Sequence, residues 1–285
     1  MEFHSPVSMD AALALLAGED SRCLAGGQSL MPMMNFDLVS PVRLVSLRAI
    51  PVLRVIEHTP EGGLRIGAMI THAEIAARQD KAAGARLLAA AARLLGYPAI
   101  RNQGTLGGSV AHADPAADYP GVLLAADAAI EIAGKAGARC VAAAEFFHGM
   151  FETALAPAEI VTAVHLPPGP AGAGVHYEKF TLVAGDYAIA SVAAIIAFDG
   201  ARCSAAALAV GSCAPGPVRS AVAEQALLGS ALDDAAIGIA AAALVKACAP
   251  ADDNRASGAY RTRVLPGLVR RAVHRARDAA IGRRR

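Results

Sequence analysis

The chain has 285 residues, of which 55% are hydrophobic and 18% charged, so it can form one large domain or two ordinary ones and is too apolar to be disordered. Its formal net charge is +1, aromatic residues make up 4% and Trp is absent. These values argue against phosphate-backbone binding and against a stacking surface for single-stranded nucleic acid.

The cysteines and the apolar runs exclude further classes. The five cysteines are odd in number and form no C-x-x-C pair, which argues against a disulfide framework and against a zinc or iron–sulfur site in this chain. The longest apolar run, 187–198, is shorter than the ~20 residues of a membrane helix. The first ten residues lack the basic and apolar regions of a secretory signal. We therefore expect a cytoplasmic protein without a membrane span.

The first predicted unit is a helix followed by a strand. Ser8 is the expected N-cap of an apolar helix over 11–16, which Gly18 ends. Further short runs of strand-forming residues are bounded by turn residues. Together the predicted strands of this region cover 22–25, 42–47, 53–57 and 64–66.

Helical signals follow these strands. Thr71 and Glu74 form a T-x-x-E capping box, and a longer Ala/Leu helix covers 84–95. Residues 101–121 are rich in Gly, Asp and Pro and show no convincing period, so we predict a long loop there. A loop of that length inside a compact domain is often functional.

The second half of the chain predicts a sheet and then helices. Strands are expected at 128–133, 139–141, 159–166 and 174–182, and the Pro/Gly run at 167–170 is the best candidate domain boundary. Asp199-Gly200 between two apolar runs indicates a two-residue hairpin turn. Helices are then predicted at 219–229, 233–247 and 259–280.

The C-terminal tail is locally basic. We interpret it as a solvated helix face with a frayed end, and an anionic partner surface is the alternative. Its arginines are Arg270, Arg271, Arg275, Arg277, Arg283, Arg284 and Arg285.

The first feature that could carry chemistry is the turn at 25–29, with the sequence AGGQS. It follows a predicted strand directly, and two adjacent glycines let a ligand approach the main chain. Successive N–H groups in such a turn can form an anion-binding nest, to which Ser29 adds a hydroxyl. The alternative interpretation is a tight turn that simply required glycine.

A second glycine pair lies at 105–109, with the sequence TLGGS. Two such turns, far apart in the sequence, could hold a diphosphate from opposite sides, mainly with backbone N–H groups. Neither turn is a G-x-G-x-x-G or a G-x-x-x-x-G-K-[ST] motif, so the Rossmann and P-loop classes have no support. The chain also lacks a G-x-S-x-G elbow and an H-E-x-x-H zinc motif.

Acidic residues follow the second glycine pair. Asp118 could accept hydrogen bonds from the ribose or adenine of a bound dinucleotide, or could instead form a turn beside Pro120. We expect Asp114 and His112 to have structural roles.

Several motifs in this sequence together resemble the FAD-binding medium subunits of molybdenum hydroxylases, the xanthine dehydrogenase and aerobic carbon monoxide dehydrogenase superfamily. The similarity runs nearly from end to end, and the motifs are specific as a set. They are 26–34 (GGQSLMPMM), 66–72 (IGAMITH), 101–109 (RNQGTLGGS), 185–190 (GDYAIA), Tyr260-Arg261 and 268–272 (LVRRA).

The resemblance implies an α+β fold: a two-subdomain FAD-binding fold of the vanillyl-alcohol-oxidase (PCMH) type, followed by a C-terminal α/β domain. The FAD-binding domain would cover 1–170, with subdomains at about 1–57 and 58–170. The C-terminal flavoprotein domain would cover 174–285.

The same resemblance implies which residues contact FAD. The two glycine turns would hold the pyrophosphate, Asp118 the ribose or adenine end, and Val161 would supply main-chain contacts near the flavin. Lys179 would lie near the isoalloxazine and could stabilise negative charge on reduced flavin, or could be an exposed strand residue. The expected cofactor-binding residues of the two turns are Cys23, Leu24, Ala25, Gly26, Gly27, Gln28, Ser29, Leu30, Thr105, Leu106, Gly107, Gly108 and Ser109.

Two positions depart from the family pattern. Family members often carry Arg between the Lys-Phe and Gly-Asp pairs, where this chain has 181–184 (TLVA), and Ser46 stands where Asp is common. Neither departure lies in a glycine turn. The first bears on the flavin edge and on the electron acceptor.

The resemblance implies an electron-transfer subunit. Substrate would be hydroxylated at a molybdenum–pterin centre in a large subunit, and electrons would pass through two [2Fe–2S] clusters of a small subunit to FAD in this chain and on to an external acceptor. The expected assembly is a heterotrimer or its dimer. The alternatives are a stand-alone flavin oxidase or reductase of the same fold, and a nucleotide-binding scaffold subunit without redox activity.

Overall fold

The structure is a computed structural model that describes residues 1–282. Arg283, Arg284 and Arg285 of the basic tail lie outside the described residues. Within 1–282, no helix combines the length and the apolar composition that crossing a membrane requires.

The chain begins with a small unit built around a parallel sheet. Its elements are β1 (Glu2–His4), α1 (Met9–Leu16), β2 (Ser21–Leu24), α2 (Leu30–Asn35) and β3 (Arg43–Ser46). The strands lie in the order β1-β3-β2 and both pairings are parallel, with Phe3 opposite Leu44. The predicted cap is confirmed, because the Ser8 hydroxyl accepts the N–H of Ala11 at 3.3 Å. The carboxyl ends of all three strands therefore meet at one edge.

An antiparallel sheet forms the second unit. Its strands, with the short hairpin β8–β9 beside them, are β4 (Ile56–His58), β5 (Leu64–Gly67), β6 (Ala129–Gly134), β7 (Gly137–Ala142), β8 (Phe147–Gly149), β9 (Glu152–Thr153) and β10 (Ile160–Leu166). The sheet order is β4-β5-β10-β6-β7. The strand predicted at 53–57 is wrong in its first half, because Pro51–Arg54 forms a 3-10 helix that Pro51 starts with its restricted φ.

Helices fill the long connection between β5 and β6. They are α3 (His72–Ala76), α4 (Ala83–Leu94), α5 (Pro98–Gln103), α6 (Leu106–His112) and α7 (Asp118–Ala125), and one further helix, α8 (Ala143–Phe146), follows β7. The capping box of Thr71 and Glu74 is confirmed in both of its hydrogen bonds. The loop predicted at 101–121 is wrong, since α5, α6 and α7 occupy most of it. Every residue of α7 is buried, so packing outweighs the poor helix propensity of its Pro and Gly.

The remaining chain forms an antiparallel sheet covered by helices. Its elements are β11 (Gly174–Phe180), β12 (Ala190–Asp199), β13 (Arg202–Gly211), β14 (Val218–Arg219), α9 (Ala221–Leu227), α10 (Asp234–Ala247) and α11 (Gly258–Ala280). The strand order is β11-β12-β13-β14. The predicted hairpin is confirmed with a shift of one residue: Asp199 pairs with Arg202, and Gly200 in the loop has φ +57°.

Strand β12 contributes to two different cores. Ala193 and Ile195 pack into the core of the first two units, which reaches the sheet through α4 and α7. Val192 and Ile196 belong to a second core, which also contains buried residues of α9, α10 and α11. Because successive residues of a strand point to opposite faces, a strand covered on both faces is apolar throughout. The predicted boundaries at 57 and 170 remain predictions, and the sheet after residue 174 shares a core with the preceding part.

Candidate functional site

A cleft of about 400 Å³ opens at the carboxyl edge of the parallel sheet. Residues that follow each of the three strands contribute to its wall, and ligands of open parallel sheets bind at that edge. A second hollow, between 113–121 and 211–217, has a volume of about 10 Å³, barely enough for one water. The cleft is lined by Phe3, Ser5, Leu24, Ala25, Gly26, Gly27, Met31, Ser46, Arg48 and Ala49.

The first glycine turn provides unpaired amide groups at this cleft. Gly27 has φ +72°, a conformation that glycine adopts without strain. Within residues 1–282, the main-chain N–H groups of Gly26, Gly27, Gln28 and Ser29 donate to no protein acceptor. The Gln28 side chain donates to the Gly26 carbonyl at 3.2 Å. Four consecutive free donors suit an anion, as the turn predicted.

The second glycine pair is not a turn but the start of α6, with Thr105 as its N-cap. Its amide groups are already bonded, two of them to the segment that follows β5. The donors and acceptors are Leu106 N to Ile70 O at 2.9 Å, Gly107 N to Ala68 O at 2.8 Å, Gly108 N to Thr105 Oγ1 at 3.2 Å and Ser109 N to Thr105 O at 3.1 Å. The interpretation that both glycine pairs offer free amides is therefore wrong for the second pair. The polar side-chain groups of this second pair are the hydroxyls of Thr105 and Ser109.

The structure brings the two glycine motifs, 26–34 and 101–109, into contact. A Cβ on Gly26 would lie 2.1 Å from the Gln103 carbonyl oxygen and 2.7 Å from Gly104 Cα. Arg48 lines the cleft together with Gly26, and its Nη2 donates to Gln103 Oε1 at 2.6 Å. Sequence reasoning missed Arg48, although the predicted strand 42–47 places it at the same sheet edge as Gly26.

His72 packs against Gly104 of the second motif. Its ring is buried, its Nδ1 lies 2.9 Å from the Tyr119 hydroxyl, and its main-chain N–H donates to the Gly104 carbonyl at 3.0 Å. A Cβ on Gly104 would lie 2.6 Å from His72 Nε2, so glycine is required there. Burial, with a smaller contribution from Arg101, lowers the pKa of His72 to about 4. The ring is therefore neutral at pH 7.

Asp118 and Lys179 are brought together away from the glycine motifs. Lys179 Nζ lies 2.9 Å from Asp118 Oδ2, and the Tyr177 hydroxyl donates to Oδ1 at 2.6 Å. Both charged side chains are buried, so the interpretation of Lys179 as an exposed strand residue is wrong. Among residues 1–282, no hydrogen bond or ion pair links this pair to either glycine motif.

The roles expected for Asp118 and Lys179 conflict with this geometry. Asp118 was expected at the ribose or adenine end of the cofactor and Lys179 at the isoalloxazine, yet their side chains are in contact. They cannot occupy opposite ends of an extended dinucleotide. Burial raises the pKa of the Asp118 carboxyl, and the Lys179 ammonium and the Tyr177 hydroxyl oppose that rise.

Val161 is a buried residue of β10 beside a bulge in its pairing with β6. Its neighbour Thr162 accepts the N–H of Ala68 at 2.9 Å, and Ala68 accepts the N–H of Gly107 at 2.8 Å. Val161 thus connects to the second motif through the main chain. Its contact with a flavin remains a prediction.

The other predicted residues have clear local roles. Leu24 ends β2 and lines the cleft, and Leu30 begins α2. Desolvation raises the pKa of the Cys23 thiol to about 12, so this thiol is unreactive at neutral pH. Asp114 accepts the N–H of Ala116 at 2.8 Å, and the His112 ring packs 5.0 Å from that of Phe151.

Two family models and several known proteins match this chain. The family described as FAD binding domain in molybdopterin dehydrogenase matches residues 1–169, and the family described as CO dehydrogenase flavoprotein C-terminal domain matches residues 175–276. The carbon monoxide dehydrogenase medium chain of Afipia carboxidovorans is 39% identical over 282 residues, covering 98% of this chain and 97% of that protein. The nicotine 6-hydroxylase medium subunit of Paenarthrobacter nicotinovorans is 37% identical and covers 96% of each chain.

Solved structures agree over nearly the whole length. A carbon monoxide dehydrogenase structure from Hydrogenophaga pseudoflava matches with a TM-score of 0.94 at 37% identity, covering 98% of each chain. Quinoline 2-oxidoreductase from Pseudomonas putida 86 matches with a TM-score of 0.92 at 32% identity, covering 99% of this chain and 98% of that one.

The fold and these relatives define a flavoprotein of the oxidoreductase class. More particularly, the chain belongs to the FAD-binding medium subunits of the molybdenum hydroxylases. This confirms the resemblance seen in the sequence, the α+β fold class and FAD as the cofactor of this chain.

Proposed function

We propose that this chain carries electrons, through bound FAD, from the iron–sulfur clusters of a partner subunit to an external acceptor. The observation that carries the proposal is the cleft at the parallel sheet edge. It is lined by Arg48 and by Gly26 and Gly27, which begin the run of free amides at 26–29, and within residues 1–282 its lining includes no acidic side chain. The family membership supplies the identity of the cofactor.

The residues present fit FAD. The amides of 26–29 would hold a phosphate group, the hydroxyls of Thr105 and Ser109 lie in the adjoining motif, and the glycines at 26 and 27 allow close approach of a ligand. When bound, FAD supplies a centre that accepts electrons one at a time and releases them singly or in pairs. The protein contributes binding, orientation and electrostatics.

The proposed assembly is a heterotrimer or its dimer. The relatives are named as medium chains or subunits, and one related structure is titled a Cu,Mo-CO dehydrogenase. Residues 1–282 contain no group of three or more His, Cys, Asp or Glu side chains suited to a metal ion. From these relatives we infer a division in which a large subunit carries the molybdenum–pterin cofactor and a small subunit carries two [2Fe–2S] clusters. Free cysteines, including the exposed Cys140, suit the reducing cytoplasm.

Co-purification from the native host tests this proposal. We expect two further chains, a flavin absorption spectrum, and FAD, iron and molybdenum in the purified complex. Colourless protein would reject the flavoprotein role and favour a scaffold subunit. A yellow chain that purifies alone and turns over a substrate would instead identify a stand-alone oxidase or reductase.

A further inference from the structure

We propose that Arg48 is the cation that binds the diphosphate of the cofactor, between the two glycine motifs. This inference rests on the proposed function and deepens it, because it names a residue and a ligand group for the cleft. No motif in the sequence singled out Arg48. Its position in the tertiary structure carries the argument.

Arg48 stands where an anion would need it. It follows β3 by two residues, so it lies at the same sheet edge as the turn after β2. It lines the cleft together with Gly26 and Gly27, and within the described chain it is the one charged residue of that lining. Ser46, at the end of β3, adds a hydroxyl and no negative charge.

The side chain of Arg48 reaches across to the second motif. Its Nη2 donates to Gln103 Oε1 at 2.6 Å, and the carbonyl of Gln103 is also the group against which Gly26 packs. Within residues 1–282, this is the one hydrogen bond that the guanidinium makes. A guanidinium has five N–H donors in a planar fork, so the remaining donors are available to phosphate oxygens.

The amide inventory favours a cation at this position. The first motif offers four free N–H groups, but the amides of 106–109 are bonded to protein acceptors. A diphosphate carries a charge of about −2, and backbone dipoles from one side balance only part of it. A guanidinium hydrogen bond to phosphate is charge-assisted and roughly twice as strong as a neutral one. Arg48 therefore replaces the amides that the second motif lacks.

The ligand class follows from the size and lining of the cleft. A volume of about 400 Å³ lies in the range for a nucleotide-sized group, and the walls at Phe3, Leu24 and Met31 are apolar. A nucleoside diphosphate placed with its phosphates at Arg48 and 26–29 satisfies both features. We therefore expect ADP to compete with FAD, and riboflavin, which has no phosphate, to be insensitive to Arg48.

The test compares Arg48→Gln and Arg48→Lys with Arg270→Gln in the full chain stripped of flavin. Arg270 is an exposed arginine on α11 paired with Asp234, so its replacement changes the net charge equally at a distant site. FAD and ADP affinities are measured by fluorescence titration and calorimetry at 50 and 300 mM salt. Loss of one charge-assisted hydrogen-bonding group should weaken FAD by roughly ten- to a hundredfold in Arg48→Gln.

The expected pattern has three parts. Arg48→Gln weakens FAD and ADP by the same factor and flattens the salt dependence, Arg48→Lys recovers part of the affinity, and Arg270→Gln binds like the wild type. If Arg48→Gln binds FAD as tightly as the wild type does, Arg48 has no such role, while the flavoprotein function stands. If the wild type binds ADP but no FAD, the proposed function fails and the anion site survives.

Discussion

Lys179 Nζ lies 2.9 Å from Asp118 Oδ2, with 3% and 5% of the two side chains exposed. The pair connects β11 of the C-terminal sheet to the first turn of α7. Lys179 also donates to the Leu94 carbonyl at the end of α4, at 3.3 Å. Burying an ion pair costs desolvation energy. Removing one partner leaves the other charge buried and unpaired, so single and double replacements are expected to differ in their effect on stability.

We expect Lys179→Met to lower the free energy of unfolding by about 3 kcal/mol, because it leaves the Asp118 carboxylate buried without its cation. The double variant Asp118→Asn/Lys179→Met should lose less than the sum of the two single variants. Urea denaturation followed by circular dichroism measures these differences.

A neighbouring pair provides the control for this experiment. Arg271 Nε lies 2.6 Å from Glu178 Oε1, and the Arg271 side chain is 55% exposed. An exposed pair contributes less than about 1 kcal/mol, so Arg271→Gln should have little effect. Equal losses in Arg271→Gln and Lys179→Met would show that burial does not set the strength of the Lys179 pair.

Gly26→Ala should separate the two glycine motifs. The added Cβ would meet the Gln103 carbonyl oxygen at 2.1 Å, and overpacking of this kind costs about 1–3 kcal/mol. We expect FAD retention to fall along with stability. Gly238→Ala is the matched control, because the new methyl meets nothing within 4 Å in α10 and should add roughly 0.5–1 kcal/mol through helix propensity. Normal FAD content in Gly26→Ala would contradict the contact between the motifs.

Gly107→Val should damage the fold rather than ligand approach alone. Gly107 is buried, and a Cβ there would lie 2.4 Å from Ala68 Cβ, next to the hydrogen bond from Gly107 N to Ala68 O. We expect a lower melting temperature in the apo-protein, measured by calorimetry. A variant that melts like the wild type but retains no FAD would instead restore the earlier view that the second motif meets the cofactor directly.

His72 predicts a loss of stability in mild acid. Its pKa is about 4 in the folded chain, against about 6.5 in an unfolded one, so the unfolded state takes up a proton first as the pH falls. Stability is full above pH 6.5 and declines toward pH 4, by about 1.4 kcal/mol per pH unit at most. His72→Asn cannot titrate in this window. Urea unfolding at pH 7, 6 and 5 should therefore show a steeper decline in the wild type than in His72→Asn, and parallel curves would argue against burial of a neutral ring.

Local signals in the sequence were sufficient for many elements. Nearby residues predicted three local features: the cap at Ser8, the Thr71–Glu74 capping box and the hairpin at Gly200. This is because caps and tight turns depend on short-range hydrogen bonds and φ angles. The family motifs likewise led to FAD and to the fold class. The helices within 101–121 were not predicted, since α6 has two glycines in its first turn and α7 forms through burial of its whole surface.

The sequence by itself determined the turn at 26–29, the near-neutral charge and the family to which the chain belongs. Only the tertiary structure decided which amides are free. The N–H groups at 26–29 have no protein acceptor within residues 1–282, whereas those at 106 and 107 bond to the segment after β5, and the sequence of a glycine pair does not distinguish the two cases. It also placed Arg48 beside Gln103, 55 residues away, and Lys179 beside Asp118, 61 residues away. Such pairings arise from chain topology and packing, which residue patterns along the chain do not encode locally.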